Sequence, residues 1–163
     1  MTNILNRGTY ENRLSHLLEL SKRSGYSLCV FLIDLDNFKA HNDGYGHLQG
    51  DEIIKLQADM LKAIFLRDSD IVARYGGEEY AVVVNNLTEQ QCIDKANKII
   101  QAWQHKKIPH GKVAGQEFIS CSVGFYREKV NKDSNKVIWC LKLTKRCTKP
   151  NSKGEGSLCS GND

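Results

Sequence analysis

Two acidic motifs, each placed where an extended segment ends, constrain this chain more than any other feature. Residues 27–35 form an almost continuous apolar run that ends in Ile33-Asp34-Leu35-Asp36, and Gly76-Gly77-Glu78-Glu79-Tyr80 follows later in the chain. An apolar run of this length with polar boundaries predicts a strand buried on both faces. The glycine pair lies between two β-rich segments, 70–75 and 79–84, and predicts a β-hairpin. Carboxylates at neighbouring strand ends are oxygen ligands of the kind that Mg²⁺ takes together with substrate phosphates.

Each acidic motif also has a purely structural interpretation. Alternation along a strand puts Asp34 and Asp36 on one face, where both could cap the following turn. Gly76-Gly77-Glu78-Glu79 could be a plain hairpin turn with exposed acids. Two adjacent glutamates repel each other, however, unless a cation lies nearby.

The polar residues between the motifs are equally open to two interpretations. Asn42 and Asp51 carry the amide and carboxylate that suit a guanine edge, but Asp51 also fits the first turn of a helix. Lys39 is either a phosphate contact or a solvated helix lysine, and the role of His47 is open. Residues 67–70 are, on their own, most simply a solvated connection before a strand.

Hydrophobic periodicity predicts the remaining helices and strands and their order along the chain. Helices are predicted over 10–24, 50–66 and 88–105, with Thr88 as the N-cap of the last one and Gln91 three residues further on. A short helix and a turn cluster at 42–46 precede the second long helix, and residues 118–126 alternate as a strand. This order predicts an α/β (α+β) domain with a central mixed β-sheet flanked by helices, and ligands at the strand ends.

Composition narrows the class of protein further. Residues 1–130 contain 16 basic and 16 acidic residues, whereas residues 131–163 contain 7 basic and 3 acidic ones, so the net charge of +4 comes entirely from the tail. No basic stripe interleaves with aromatic residues, which argues against a nucleic-acid partner. No apolar run is long enough for a membrane segment, and the N-terminus lacks a signal-peptide layout, so a cytoplasmic protein is expected. Cys29, Cys92 and Cys121 lie singly in apolar patterns and are predicted to be core residues.

Taken together, the motifs closely resemble those of GGDEF-domain diguanylate cyclases. The matching segments occur in the family's order and spacing: Leu5-Asn6-Arg7, Asp34-Leu35-Asp36-Asn37-Phe38-Lys39, Asn42-Asp43, Gly46-His47, Gly50-Asp51-Glu52, Arg74-Tyr75-Gly76-Gly77-Glu78-Glu79-Tyr80 and Ser122-Val123-Gly124. The resemblance implies a palm-like, nucleotidyl-cyclase-like sheet. It also implies condensation of two GTP into cyclic di-GMP plus pyrophosphate, at the interface of a homodimer.

The resemblance also implies a role for individual residues. Asp34, Glu78 and the Leu35 carbonyl would hold Mg²⁺ (or Mn²⁺), and Glu79 would accept the proton of the attacking 3′-hydroxyl. The implied substrate-binding residues are Phe38, Lys39, Asn42, His47 and Asp51. Arg67 and Asp70 match the Arg-x-x-Asp inhibitory site that binds the product. Two other interpretations remain: a non-catalytic cyclic di-GMP receptor, and an inactive fragment of a broken cyclase gene.

The C-terminus departs from the family pattern. The domain is predicted over residues 1–130, incomplete at both ends, and residues 131–163 form an atypical tail that is expected to be frameshifted or disordered. Read from the third base of the Leu143 codon, permitted codons for residues 143–153, completed by the first bases of the Gly154 codon, can spell Asp-Glu-Ala-Leu-Tyr-Lys-Ala-Lys-Gln-Gln-Gly, which has the pattern of the family's final helix. Because that helix would cover apolar sheet surface and contact the phosphates, its loss predicts weak stability and low or no cyclase activity.

Overall fold

The computed structural model describes residues 4–111 and 115–134, together with the backbone of Leu158–Gly161. In these parts the chain forms four helices and five strands. The helices are α1 (Arg7–Ser24), α2 (Phe38–Tyr45), α3 (His47–Ile64) and α4 (Glu89–Lys106). The strands are β1 (Ser27–Leu35), β2 (Ile71–Arg74), β3 (Glu79–Asn85), β4 (Cys121–Lys129) and β5 (Leu158–Gly161).

The strands form one mixed sheet in the order β2-β3-β1-β4-β5. The first four strands pair antiparallel with their neighbours, and β5 pairs parallel with β4. β1 therefore lies at the centre of the sheet with β3 and β4 on either side. The predicted mixed sheet flanked by helices is confirmed, and so is the hairpin, since β2 and β3 pair antiparallel around Gly76 and Gly77.

Helices cover both faces of the sheet, which explains the continuous apolar run in β1. Alternate residues of β1, among them Phe31 and Ile33, pack with α3 and α4 in one buried cluster that includes Trp103. The residues between them, such as Leu28 and Val30, pack with α1 in a second cluster. A strand whose two faces are both covered has no reason to alternate polar with apolar residues. Cys29, Cys92 and Cys121 are buried as predicted.

The helix ends follow the local sequence to within three residues, although α1 begins at Arg7 rather than at residue 10. Thr88 caps α4 through the predicted capping box. The Thr88 hydroxyl accepts from the Gln91 backbone amide, and the Thr88 backbone amide donates to the Gln91 side chain. α3 begins at His47 rather than at residue 50, and α2 includes most of the expected turn cluster. Gly46 separates the two helices with φ 86°, a conformation that favours glycine. The break between α2 and α3 is therefore a single residue.

The tail contributes one strand to the sheet. Leu158–Gly161 forms β5 at the edge beside β4, a strand that the sequence pattern did not predict. Residues 135–157, 162 and 163 lie outside the described residues, so the expectation of a frameshifted or disordered tail stays a prediction. Among the helices described, none combines the length and apolarity that crossing a membrane requires.

Candidate active site

The two acidic motifs meet across the β1–β3 ladder. Asp34 lies directly opposite Glu79 on one side and opposite Ser122 of β4 on the other. Directly opposed residues of an antiparallel pair have side chains on the same face, with Cβ atoms about 5 Å apart. Asp34 and Glu79 are both exposed. The sheet register thus brings together two carboxylates that are far apart in the sequence.

Asp34 and Asp36 have different surroundings although they look equivalent in the sequence. The Asp36 carboxylate accepts hydrogen bonds from the Ser120 hydroxyl at 2.5 Å and the Ser122 hydroxyl at 2.6 Å. Its amide also donates to the Ser120 carbonyl at 3.0 Å. Asp36 therefore fastens the end of β1 to the start of β4, which leaves Asp34 as the carboxylate available to a ligand.

The surroundings of Asp34 favour its neutral form. Partial withdrawal from water, followed by the negative charges of Glu78, Glu79 and Asp36, raises the pKa of Asp34 to about 6, although the residue keeps an exposed surface. A hydrogen bond from the Leu35 amide acts in the opposite direction. Like charges crowded at one place disfavour ionisation, and a bound cation would remove that cost.

The β2–β3 hairpin holds the glutamates through backbone contacts. The Tyr75 amide donates to the Glu79 carbonyl at 2.8 Å, and the Arg74 Nε donates to the Gly77 carbonyl at 2.8 Å. A Cβ at Gly76 would lie 2.8 Å from the Glu79 carboxylate, closer than real contacts allow. Glycine at this position therefore leaves room for the Glu79 side chain to fold back over the turn.

A cleft of about 460 Å³ opens between the hairpin, α2 and the start of α3. It brings together all five predicted substrate-binding residues and one of the predicted metal ligands, Glu78. The described residues that line it are Phe38, Lys39, Asn42, Asp43, His47, Gly50, Asp51, Ile54, Arg74, Gly77 and Glu78. Asp34 and Glu79 do not line this cleft, but the charges of Glu78 and Glu79 both act on Asp34. The acidic pair is thus adjacent to the hairpin wall.

One wall of the cleft depends on close packing between α2 and α3. A Cβ at Gly50 would lie 1.8 Å from the Asn42 Oδ1 atom and 3.2 Å from the Phe38 ring. The Asn42 Oδ1 is buried and has no hydrogen-bond partner among the described residues. A buried acceptor without a partner is costly, so a rotation of the Asn42 side chain that brings this oxygen to a donor on a ligand would be favourable.

The first turn of α2 also faces this region without a capping side chain. Asn37 precedes the helix in the left-handed conformation with φ 54°, and its side chain makes no cap hydrogen bond. The amide group of that side chain instead donates to Gln116 at 2.7 Å. Helix N-termini with free amides attract anions. Lys39, in the same turn, adds a positive charge to the cleft.

The acidic residues can hold a metal ion only when a bound substrate supplies further oxygen ligands. No group of three or more His, Cys, Asp or Glu side chains that could hold a metal occurs within residues 4–111 and 115–134. Mg²⁺ usually takes one or two carboxylates and completes its shell with water and substrate phosphates. Asp34, crowded by the negative charges of Glu78 and Glu79, suits that mode of binding. The Leu35 side chain is buried, and its carbonyl lies at the end of β1 opposite Cys121.

Arg67 and Asp70 lie apart from the cleft, in the turn before β2. The Asp70 carboxylate accepts from the Arg67 amide at 3.2 Å, and the Asp70 amide donates to the Arg67 carbonyl at 2.9 Å. The Arg67 guanidinium donates to the Asn85 carbonyl at 3.4 Å, and Arg67 lines a separate cleft together with Lys95, Lys98 and one acidic residue, Asp94. The predicted inhibitory pair is therefore joined by the backbone of one turn, while its two side chains border different clefts.

Two residues that shape the cleft were assigned no role in the sequence analysis. Arg74 lines the cleft and is tied to Gly77, and Gly50 makes room for Asn42. Arg74 stands two residues before the glycine pair, so its position in the motif was the available signal. Gly50 stands in the matching segment Gly50-Asp51-Glu52, but helix propensity alone gives no reason for a glycine there, because glycine only lowers that propensity.

With this geometry in view, the comparisons with known proteins identify the family. The sequence model described as "Diguanylate cyclase, GGDEF domain" matches residues 1–142, and the chain belongs to this family. It is 33% identical to the diguanylate cyclase DosC of Escherichia coli strain K12 over 125 residues, which are 76% of this chain and 26% of DosC.

Solved structures support the same fold. The GGDEF domain of PA1120 (YfiN or TpbB) from Pseudomonas aeruginosa superposes with a TM-score of 0.78 at 28% identity, covering 99% of this chain and 100% of that one. The coiled coil and GGDEF domain of DgcB from Caulobacter crescentus, solved with c-di-GMP, gives a TM-score of 0.85 at 20% identity, covering 98% and 83%. The chain spans only 13% to 38% of the length of the first curated relatives that it matches.

Proposed function

We propose that this chain is the catalytic domain of a diguanylate cyclase, which condenses two GTP into cyclic di-GMP with release of two pyrophosphates. The observation that carries the proposal is the sheet register that sets Glu79 opposite Asp34, next to a cleft lined by Glu78, Lys39, Asn42 and Asp51. Relatives named diguanylate cyclases and neighbours solved with c-di-GMP support the same reaction. We assign the reaction to the cytoplasm, where GTP is made.

The cleft residues divide into base-reading and phosphate-binding groups. The unpartnered Asn42 Oδ1 and the Asp51 carboxylate would accept from the N–H groups of guanine. Lys39 and the uncapped start of α2 would bind the phosphates. Phe38 and His47 line the same cleft and would contact the bound nucleotide.

Asp34, Glu78 and the Leu35 carbonyl would hold Mg²⁺ or Mn²⁺. The ion would supply positive charge that neutralises the triphosphate during phosphoryl transfer. For the protein, ion binding would lower the pKa of Asp34 and offset the repulsion from its carboxylate neighbours.

Glu79 would act as general base. Its carboxylate would take the proton of the 3′-hydroxyl as that oxygen attacks the α-phosphate of the second GTP, and pyrophosphate leaves from the opposite side. Because Glu79 is exposed, the proton can pass on to water. The 3′-hydroxyl and the α-phosphate belong to different nucleotides, so two copies of the domain must face each other.

Arg67 supports a second activity, binding of the cyclic di-GMP product, although its predicted partner Asp70 borders a different cleft. The guanidinium shares its cleft with Lys95 and Lys98, so positive charge collects where an anionic dinucleotide would bind. If this site operates without turnover, the chain is a receptor rather than a cyclase.

Replacing Glu79 tests the proposed base. Glu79→Gln keeps the shape of the side chain and removes its ability to accept a proton. We expect cyclic di-GMP formation from GTP and Mg²⁺ to fall at least about 100-fold, while the affinity for GTP changes little. Product is measured by chromatography and GTP binding by calorimetry.

Glu19→Gln, on exposed α1, is the matched control and should leave both quantities unchanged. A Glu79→Gln variant that turns over at the wild-type rate would disprove the general-base role. Binding of cyclic di-GMP without turnover by the unmodified chain would favour a receptor, and absence of both would favour an inactive fragment.

A further inference from the structure

The hydroxyl of Tyr80 links the two walls of the cleft. Tyr80 follows Glu79 in β3, is fully buried, and packs in the core cluster shared with α3 and α4. Its hydroxyl donates to the backbone carbonyl of Ile54 in α3 at 2.6 Å. Burial raises the pKa of Tyr80 well above its ordinary value, so the phenol stays protonated and remains a donor.

Packing alone does not require this hydroxyl. A phenylalanine ring would fill nearly the same space without a polar group. A buried hydroxyl is costly unless it is hydrogen-bonded. The Ile54 carbonyl, inside a regular helix, already accepts a bond from the amide four residues later. The tyrosine bond is therefore an additional link and not the only partner of its acceptor.

The link joins residues that are close to the proposed substrate contacts. Ile54 lines the cleft, and Asp51 lies one turn earlier on the same side of α3. On the hairpin side, Glu78 is two residues before Tyr80. A hydrogen bond between Tyr80 and Ile54 thus fixes the start of α3 relative to the glutamates across the cleft.

We propose that Tyr80 is a positioning residue, whose hydroxyl holds Asp51 at the correct distance from the Glu78–Glu79 hairpin. The effect on nucleotide binding rests on the proposed function, whereas the effect on α3 does not. Tyr80 itself touches no substrate and acts through α3.

The test compares two variants that lose the same group. Tyr80→Phe removes the link to α3, and Tyr126→Phe removes a buried hydroxyl that donates to Glu128 at 2.5 Å in β4, away from the cleft. Amide hydrogen exchange of the full chain without nucleotide reports on residues 50–56. Calorimetry with GTP and Mg²⁺ reports on the cleft.

We expect Tyr80→Phe to speed exchange over residues 50–56 and to weaken GTP affinity about three- to tenfold, the effect of one lost hydrogen bond. Tyr126→Phe should change neither quantity, even if it lowers the melting temperature equally. Unchanged exchange in Tyr80→Phe overturns the proposal, and so does faster exchange with unchanged GTP affinity. If the unmodified chain does not bind GTP, the proposed function fails, and the exchange comparison alone decides whether Tyr80 positions α3.

Discussion

At the scale of single residues, the structure separates side chains that the sequence treats alike. Alternation assigned Asp34 and Asp36 to one face and could not say which of them would bind a ligand. The distinction comes from Ser120 and Ser122, more than eighty residues later in the chain, whose hydroxyl groups donate to Asp36. Such contacts depend on the β1–β4 register, which no local pattern reveals. The raised pKa of Asp34 means that ionising this side chain costs free energy in the folded state, and that cost can be measured.

Replacing Asp34 by asparagine should stabilise the chain in the absence of divalent cations at pH 8. The folded pKa of about 6 is above the ordinary value near 3.8, so Asp34 contributes most to stability when protonated, below about pH 4. That contribution is lost as the pH rises to 6 and beyond. The asparagine side chain carries no charge, so the variant should gain up to about 1 kcal/mol at pH 8, after solvent screening. Denaturant unfolding measures this gain.

The gain should shrink as the pH is lowered from 8 to 4. Asp36→Asn is the control, and it should lower the free energy of unfolding instead of raising it. The Asp36 carboxylate accepts hydrogen bonds from two hydroxyl groups, which the substitution weakens. A stabilisation by Asp34→Asn that does not depend on pH would contradict the proposed charge crowding.

At the scale of elements, local sequence signals predicted most of the architecture. The capping box at Thr88, the buried β1 run and the glycine hairpin all follow from short-range chemistry, and the structure confirms them. The start of α3 was harder to predict. Gly50 looks like a poor helix residue, and its use becomes visible only when α2 lies against it.

Gly50→Ala tests the packing of α2 on α3. The new methyl group would lie where the Asn42 Oδ1 now sits, so the asparagine side chain must move out of the wall. We expect the dissociation constant for GTP to rise about tenfold, the effect of one displaced hydrogen-bonding group. The helix itself should be retained, because alanine has the higher helix propensity.

Gln49→Ala, at the neighbouring exposed position, is the matched control and should bind GTP as the unmodified chain does. Calorimetry measures both variants, and circular dichroism checks their helix content. Unchanged GTP affinity in Gly50→Ala would show that Asn42 is not part of the nucleotide site.

At the scale of the whole molecule, the order of elements predicted the fold class but not every strand. The five-stranded mixed sheet with helices on both faces agrees with the expected palm-like domain. β5 could not be predicted, because Leu158–Gly161 has glycine and serine instead of a β-rich pattern, and only its pairing with β4 defines it. The family match reaches residue 142, beyond the expected boundary at 130. The frameshift hypothesis for the tail stays a prediction.

The dependence of product formation on chain concentration tests the central claim most directly. Each half-site holds one GTP, so the initial rate of cyclic di-GMP formation at saturating GTP and Mg²⁺ should rise with the square of the chain concentration while the chains are mostly monomeric. We expect slow but detectable turnover with this second-order dependence on chain concentration. Removing Mg²⁺ with a chelator should abolish it. No cyclic di-GMP at any chain concentration, or a rate strictly proportional to that concentration while sedimentation shows only monomers, would contradict the account.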